Sequence, residues 1–196
     1  MNDKDKDTTL IPDNGTSPLA EKLQRIAAYE RGRRKTVPGV IRSAGRTRAW
    51  AAFYRRYGPK ADPWLLRKTQ GRAAFRIGFP ELLLTTTGAK SGLPRVMPLI
   101  YVRDGDDFVV VGTNFGQRHH PGWTANLLAH ADASIEVGPE QLPVTGELAD
   151  QATWERLWPR FVAIYPGYAD YLTRCAPRKP RMFRLRPRPI ELSNRQ

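Results

Sequence analysis

Apolar residues follow two regimes along the chain. Before Phe79 they recur at three- and four-residue spacing, and beyond it they gather in short β-prone runs. Ser17-Pro18 reads as an N-cap followed by proline at the first helical position. Leu19, Leu23, Ile26 and Ala27 continue at helical spacing until Gly32 and Pro38-Gly39 interrupt the pattern. A second helix is predicted from Thr47 to Tyr57. Trp50, Phe53, Tyr54 and Tyr57 form one face, with Arg48, Arg55 and Arg56 on or beside the other, and Gly58-Pro59 stops it. That aromatic face suits packing on the protein's own core or placement at an anionic membrane surface. A short helix over Pro63 to Lys68 and a loop over Gln70 to Gly78 follow. Residues 1–16 are polar without period and are expected to be disordered.

Six strands are predicted beyond Phe79: Leu82 to Thr87, Val96 to Val102, Phe108 to Gly112, Ala133 to Val137, Leu142 to Leu148 and Met182 to Leu185. The turns Gly88 to Gly92 and Asp104-Gly105-Asp106 separate the first three. A short helix is predicted over Trp123 to His130. A longer one runs over Gln151 to Ile164, capped by Asp150, with Trp154, Leu157, Trp158, Phe161, Val162 and Tyr165 along its apolar face. Pro159 inside that helix predicts a kink, or a break at Trp158. Short strands with few helices point to a small antiparallel barrel rather than alternating βαβ units.

Composition fits one domain with an arm. Of 196 residues, 40% are hydrophobic and 10% aromatic, enough for one sizeable core. The longest apolar runs fall far short of the roughly 18 residues that span a bilayer. The charged first residues, with no apolar stretch behind them, argue against a secretory leader. The single cysteine, Cys175, allows no disulfide within the chain and suits a reducing cytosol. Three histidines and one cysteine leave little for a zinc site, so no metal is expected.

Charge is distributed unevenly. The net charge is +13, yet residues 81–173 carry six basic against eleven acidic side chains. The middle is therefore mildly acidic and the flanks are basic. Such flanks attract anionic lipid, nucleic acid or an anionic ligand, or simply form a solvated surface. No recognised DNA-binding motif accompanies them, which argues against nucleic acid.

Three stretches could carry chemistry. In Gly88-Ala89-Lys90-Ser91-Gly92-Leu93-Pro94-Arg95, two glycines let the backbone approach a ligand, Ser91 adds a hydroxyl, and Lys90 and Arg95 add cations. This is a candidate phosphate or carboxylate cradle, and equally an ordinary β-turn. The spacing is not that of a Walker loop. The second stretch, Gly112 to Trp123, gathers Thr113, Asn114, Phe115, Gly116, Gln117, Arg118, His119 and His120 before a helix start. Adjacent histidines in extended chain point apart, which disfavours a metal there. The third, Tyr165-Pro166-Gly167-Tyr168-Ala169-Asp170-Tyr171, repeats tyrosine every third residue. On a tight or 3₁₀-like turn the three phenols share one side, as core packing or as an apolar substrate wall with hydroxyl tips.

Taken in order and spacing, Leu83 to Val96, then Asn114-Phe115-Gly116 with His120-Pro121-x-Trp123-x-x-Asn126-Leu127, then the tyrosine triplet, resemble the deazaflavin-dependent nitroreductase and quinone reductase family. The likeness covers roughly residues 80–186. It implies a split β-barrel that binds coenzyme F420 and passes hydride to quinones, nitro compounds or activated alkenes. It further implies that Gly88, Lys90, Ser91, Gly92 and Arg95 hold the phosphate and acidic tail. Thr113, Asn114, Phe115 and Gly116 would line the ring, and Trp123 with Asn126 would fix the helix beneath it. Tyr165, Tyr168 and Tyr171 would form the acceptor pocket, with Tyr165 or Tyr171 as proton donor. Where the family carries a second cation, this chain has Ala89. Loss of one charge-assisted contact costs about 1.5–3 kcal/mol, and Arg118 or a cation from the arm is the candidate replacement.

The implied domain plan is a disordered terminus over 1–18, a basic, partly helical arm over 19–79 and the barrel over 80–196. Two alternatives remain at this point: a split barrel using flavin mononucleotide (FMN), and a protein that binds deazaflavin or lipid without turnover. The expected partners are a lipophilic quinone-like acceptor, an anionic membrane surface met through the arm, and a second copy in a homodimer. The expected location is the cytoplasm, on or near the inner face of the cell membrane.

Overall fold

The computed structural model describes residues 17–32 and 79–190. The helices expected over 47–57 and 63–68 and the loop over 70–78 lie outside the described residues.

Six strands close into an antiparallel barrel: β1 (Glu81–Thr87), β2 (Pro94–Asp104), β3 (Asp107–Gly112), β4 (Asp132–Val137), β5 (Glu140–Leu148) and β6 (Arg181–Pro187). Their order around the barrel is β1-β2-β3-β6-β5-β4. Each predicted strand is present. The side-chain period of two sorts the residues. Leu82, Leu84, Phe108, Val110, Phe183 and Leu185 belong to a core inside the barrel. Val109, Val111, Ile100, Val102 and Met182 point outward into a second core. The run Phe108–Val111 is apolar throughout because both faces of β3 are covered.

Among the described residues, four α-helices flank the barrel: α1 (Pro18–Gly32), α2 (Gly122–Ala129), α3 (Gln151–Ile164) and α4 (Gly167–Cys175). Leu157 and Phe161 of α3 pack with Tyr168 and Tyr171 of α4 on the outer core. Asp150 caps α3 by accepting from the Thr153 N–H at 2.7 Å. The break expected at Trp158 does not occur, and α3 continues through Pro159 to Ile164. Proline removes the hydrogen bond to the carbonyl four residues earlier. Pro159 and Glu155 are both exposed, so water can satisfy that carbonyl.

The two barrel ends are closed differently. At one end α1 buries Ile26 completely, with Leu19, Leu23 and Tyr29 beside it. Its Ser17 cap accepts from the Ala20 N–H at 3.3 Å. Tyr101 donates to Glu30 at 2.7 Å, and Arg25 pairs with Glu140 at 2.6 Å. Burial and the Glu30 charge raise the Tyr101 phenol far above its ordinary range. This part of the basic arm therefore packs on the barrel. At the other end α2 inserts Trp123 and Leu127 into the barrel core. It sits close because Gly112 and Gly146 lie beneath it: a Cβ at Gly146 would meet Leu127 at 2.9 Å, and one at Gly112 would meet Thr124 at 2.8 Å.

Three arginines on and just beyond β6 are ion-paired. Arg184 lies 3.1 Å from Asp104 and 3.2 Å from Asp107, Arg186 reaches Glu147 at 3.3 Å, and Arg188 reaches Asp132 at 3.0 Å. The acidic middle thus neutralises much of the basic tail within the described residues. No described helix is long and apolar enough to cross a membrane.

Asp104 also takes a two-pronged contact from Arg156, both bonds at 2.8 Å. Bonding to Arg156, reinforced by Arg184, holds its carboxyl down from 3.8 to about 2. A depressed folded-state pKa adds stability above the unfolded value and loses it as pH falls through the folded one. Asp104→Asn should therefore cost about 1 kcal/mol at neutral pH, after allowing for solvent screening of the half-exposed Arg156. It should also flatten the dependence of stability on pH between 4 and about 2. Urea unfolding across that window checks both.

Candidate active site

The candidate site is built at the α2 end, where β1, β3 and β5 finish and β2, β4 and β6 begin. The turn after β1 is closed by two backbone bonds: the Gly88 N–H donates to the Leu93 carbonyl at 2.9 Å and the Gly92 N–H to the Gly88 carbonyl at 2.8 Å. Gly88 is buried, while Lys90, Ser91, Gly92 and Arg95 are exposed. The Ser91 hydroxyl accepts from the Leu93 N–H at 3.4 Å. Neither Lys90 nor Arg95 forms an ion pair among the described residues. Two cations thus stand over a folded backbone turn without a carboxylate.

Asn126 ties that turn to α2. Its Oδ1 accepts from the Ala89 N–H at 3.0 Å, and its Nδ2 donates to the Thr86 hydroxyl at 3.0 Å. Ala89 therefore contributes its backbone, and its side chain is exposed. Trp123 places its ring inside the barrel, 5.7 Å from Phe183. There it anchors the helix that carries Asn126.

The second loop leaves β3 at Gly112. Thr113 is buried and right-handed, at φ −73°. Asn114, Phe115 and Gly116 are then all left-handed, at φ 49°, 55° and 77°. For asparagine, and more for phenylalanine, this costs about 1–3 kcal/mol each, and it persists only where surroundings fix it. A right-handed residue followed by a left-handed one also converges successive N–H groups into an anion-binding concavity. A Cβ on Gly116 would meet the Tyr171 backbone at 3.2 Å, so only glycine allows this approach to α4. Phe115 meets the Tyr171 ring edge-on at 6.0 Å.

The tyrosines converge as expected, by a different local route. Tyr165 ends α3, while Tyr168 and Tyr171 lie on α4, which is α-helical rather than a 3₁₀-like turn. Pro166-Gly167 turns the chain between them. All three are buried, with ring centroids 5.5–6.2 Å apart. The Tyr165 and Tyr171 hydroxyls are hydrogen-bonded at 3.1 Å.

The histidine pair holds no metal cluster among the described residues. His120 turns its Nδ1 toward the Arg178 guanidinium at 3.3 Å. Burial, with the charges of Arg181 and Arg178, lowers its pKa. Sequence reasoning missed Thr86 and Arg178 as parts of this site. Arg178 lies 61–66 residues from the carbonyls it binds, and no local pattern marks it.

A closed six-stranded antiparallel barrel with a helix-borne, cation-bearing loop pair at one end defines a split-barrel cofactor protein. The chain belongs to the F420H(2)-dependent quinone reductase family, whose model matches residues 60–179. An F420H(2)-dependent quinone reductase of Mycobacterium tuberculosis is 42% identical over 98 residues, spanning 48% of this chain and 66% of that protein. The match thus covers just under two thirds of that relative's length. Another relative from the same species is 38% identical over 99 residues, 50% of this chain and 81% of its own. A solved F420-H2 dependent reductase superposes with a TM-score of 0.50 at 34% identity, covering 54% of this chain and 93% of that one. A structure described as a domain-swapped dimer has the same score and identity, covering 54% and 79%.

Proposed function

We propose that this protein is an oxidoreductase that takes a hydride from reduced coenzyme F420 and passes it to a quinone, nitro compound or activated alkene at the α2 end of the barrel. One observation carries the reading. The barrel end that α2 closes bears both a turn whose two cations form no ion pair among the described residues and a left-handed loop pressed against a buried tyrosine pair. An acidic coenzyme tail needs the first, and a flat ring with its acceptor needs the second.

The residues suit the coenzyme. Lys90, Ser91 and Arg95 offer cations and a hydroxyl to phosphate and carboxylate, with Gly88 and Gly92 shaping the turn. Thr113 to Gly116 would border the ring, and Trp123 with Asn126 would hold the helix that supports both loops. Exposed Arg118 is the candidate replacement for the cation missing at Ala89. When bound, the coenzyme supplies obligate two-electron chemistry. The protein's part is to bind, orient and exclude water. A reduced acceptor gains negative charge on oxygen, and the Tyr165–Tyr171 hydroxyl pair would deliver a proton to it. Tyr168 would complete the apolar wall.

The basic aromatic sequence over 47–57 adds a place for a lipophilic acceptor, at an anionic membrane surface on the cytoplasmic side. A homodimer is compatible with this reading.

Two measurements test it. Titration of the purified protein with coenzyme F420 and with FMN, followed by ligand fluorescence, should show tight binding of the first only. FMN binding alone would keep the barrel and replace the cofactor. Binding of neither would overturn the reading. With coenzyme bound, Tyr171→Phe should lower menadione reduction about a hundredfold, near the lower end for general-acid catalysis, and change coenzyme affinity less than threefold. Binding without any turnover of quinone, nitro or alkene acceptors would instead favour a carrier.

A further inference from the structure

The guanidinium of Arg178 has five N–H bonds, and each has an acceptor. Its Nε donates to the Gln117 carbonyl at 3.1 Å. Its Nη1 meets the Gly112 carbonyl at 3.1 Å and His120 Nδ1 at 3.3 Å. Its Nη2 donates to the carbonyls of Thr113 and Gln117, both at 2.8 Å. None of these acceptors is a carboxylate, and Arg178 forms no ion pair among the described residues. A surface arginine serving only solubility does not arrange five N–H groups on one loop.

The acceptors sit on both sides of the left-handed turn. Gly112 and Thr113 precede it and Gln117 follows it, with Asn114, Phe115 and Gly116 between at positive φ. One planar fork therefore holds the two feet of the turn together. The turn's own bonds are the Gly116 N–H to the Thr113 carbonyl and the Gln117 N–H to the Asn114 carbonyl, both at 3.0 Å, and those of the Asn114 side-chain amide to Gln117 Oε1 at 3.4 Å and to the His119 carbonyl at 3.1 Å. Without the fork, only these bonds and the packing of Gly116 and Phe115 on α4 oppose relaxation of the chain to negative φ. Phe115 would then leave the edge of Tyr171. The Arg178 N–H donates to the Cys175 carbonyl at 3.0 Å, and the buried Cys175 thiol lies within reach of the Arg178 and Leu172 carbonyls, which fixes the backbone from which the fork extends.

We propose that Arg178 is a positioning residue that locks the 112–117 loop in its left-handed form and so presets Phe115 and the Thr113–Gly116 backbone for the coenzyme ring. The proposal rests on the function proposed above for its purpose, and on geometry alone for the lock. Lysine keeps the charge but has three donors on one nitrogen and cannot span both feet.

The test is Arg178→Lys in the full chain, with two readouts. Amide hydrogen exchange without ligand should accelerate at least tenfold at Gly116 and Gln117, while amides of α3 and β1 remain unchanged. Coenzyme F420 affinity should fall at least tenfold. Unchanged exchange at the loop would overturn the lock. Faster exchange with unchanged affinity, in a chain whose native form binds the coenzyme, would overturn its purpose. If the native chain binds no coenzyme, the functional reading fails while the exchange result still decides the lock. Should Arg178→Lys lose its cooperative melt, Arg178→Gly with millimolar methylguanidinium replaces it. Restored loop protection would support the lock, and none would overturn it.

Discussion

The architecture depends on how closely α2 approaches the open end of the barrel. Two glycines in the strands on either side of β6, Gly112 and Gly146, permit that approach, since a Cβ at either would run into the helix. With α2 seated, Trp123 and Leu127 fill the barrel end and Asn126 reaches the turn after β1. A short helix has little intrinsic stability, so its position is set by this packing. In turn it fixes two loops that are otherwise far apart along the chain.

The opposite end is stabilised by different means. There α1 contributes a fully buried isoleucine and polar clamps to the β4–β5 turn. Between the ends, the outer face of β2, β3 and β6 is covered by α3 and α4. That cover serves the candidate site as well as the core: α4 brings Tyr171 against Phe115, and the segment following it supplies Arg178. Arg184, Arg186 and Arg188, on and just beyond β6, keep their charges paired with acidic side chains.

Much of this was legible in the sequence because each barrel strand leaves a local mark. Alternation or a short β-branched run placed all six strands, and Asp150 and Ser17-Pro18 marked helix starts through capping chemistry. Of the two outcomes read from Pro159, the break does not occur, because the freed Glu155 carbonyl is open to water, which sequence spacing does not reveal. The tyrosine triplet was visible by its spacing, but its convergence comes from a helix–turn–helix joint rather than a tight turn. The left-handed Asn114 carried only a weak signal, since asparagine is enriched in that region without being confined to it, and Phe115 carried none, since bulky residues usually avoid it. Arg178, Thr86 and the two glycines beneath α2 act across long sequence separations. Their roles emerge only when the barrel closes.

The account's central claim is that one barrel end, organised by α2, carries the whole site. Amide hydrogen exchange of the full chain, with and without coenzyme F420, tests this most directly. The account predicts added protection over residues 87–95 and 112–126 together, and none at α1 or the 138–141 turn. Protection confined to one of the two loops, or appearing at the α1 end, would contradict it.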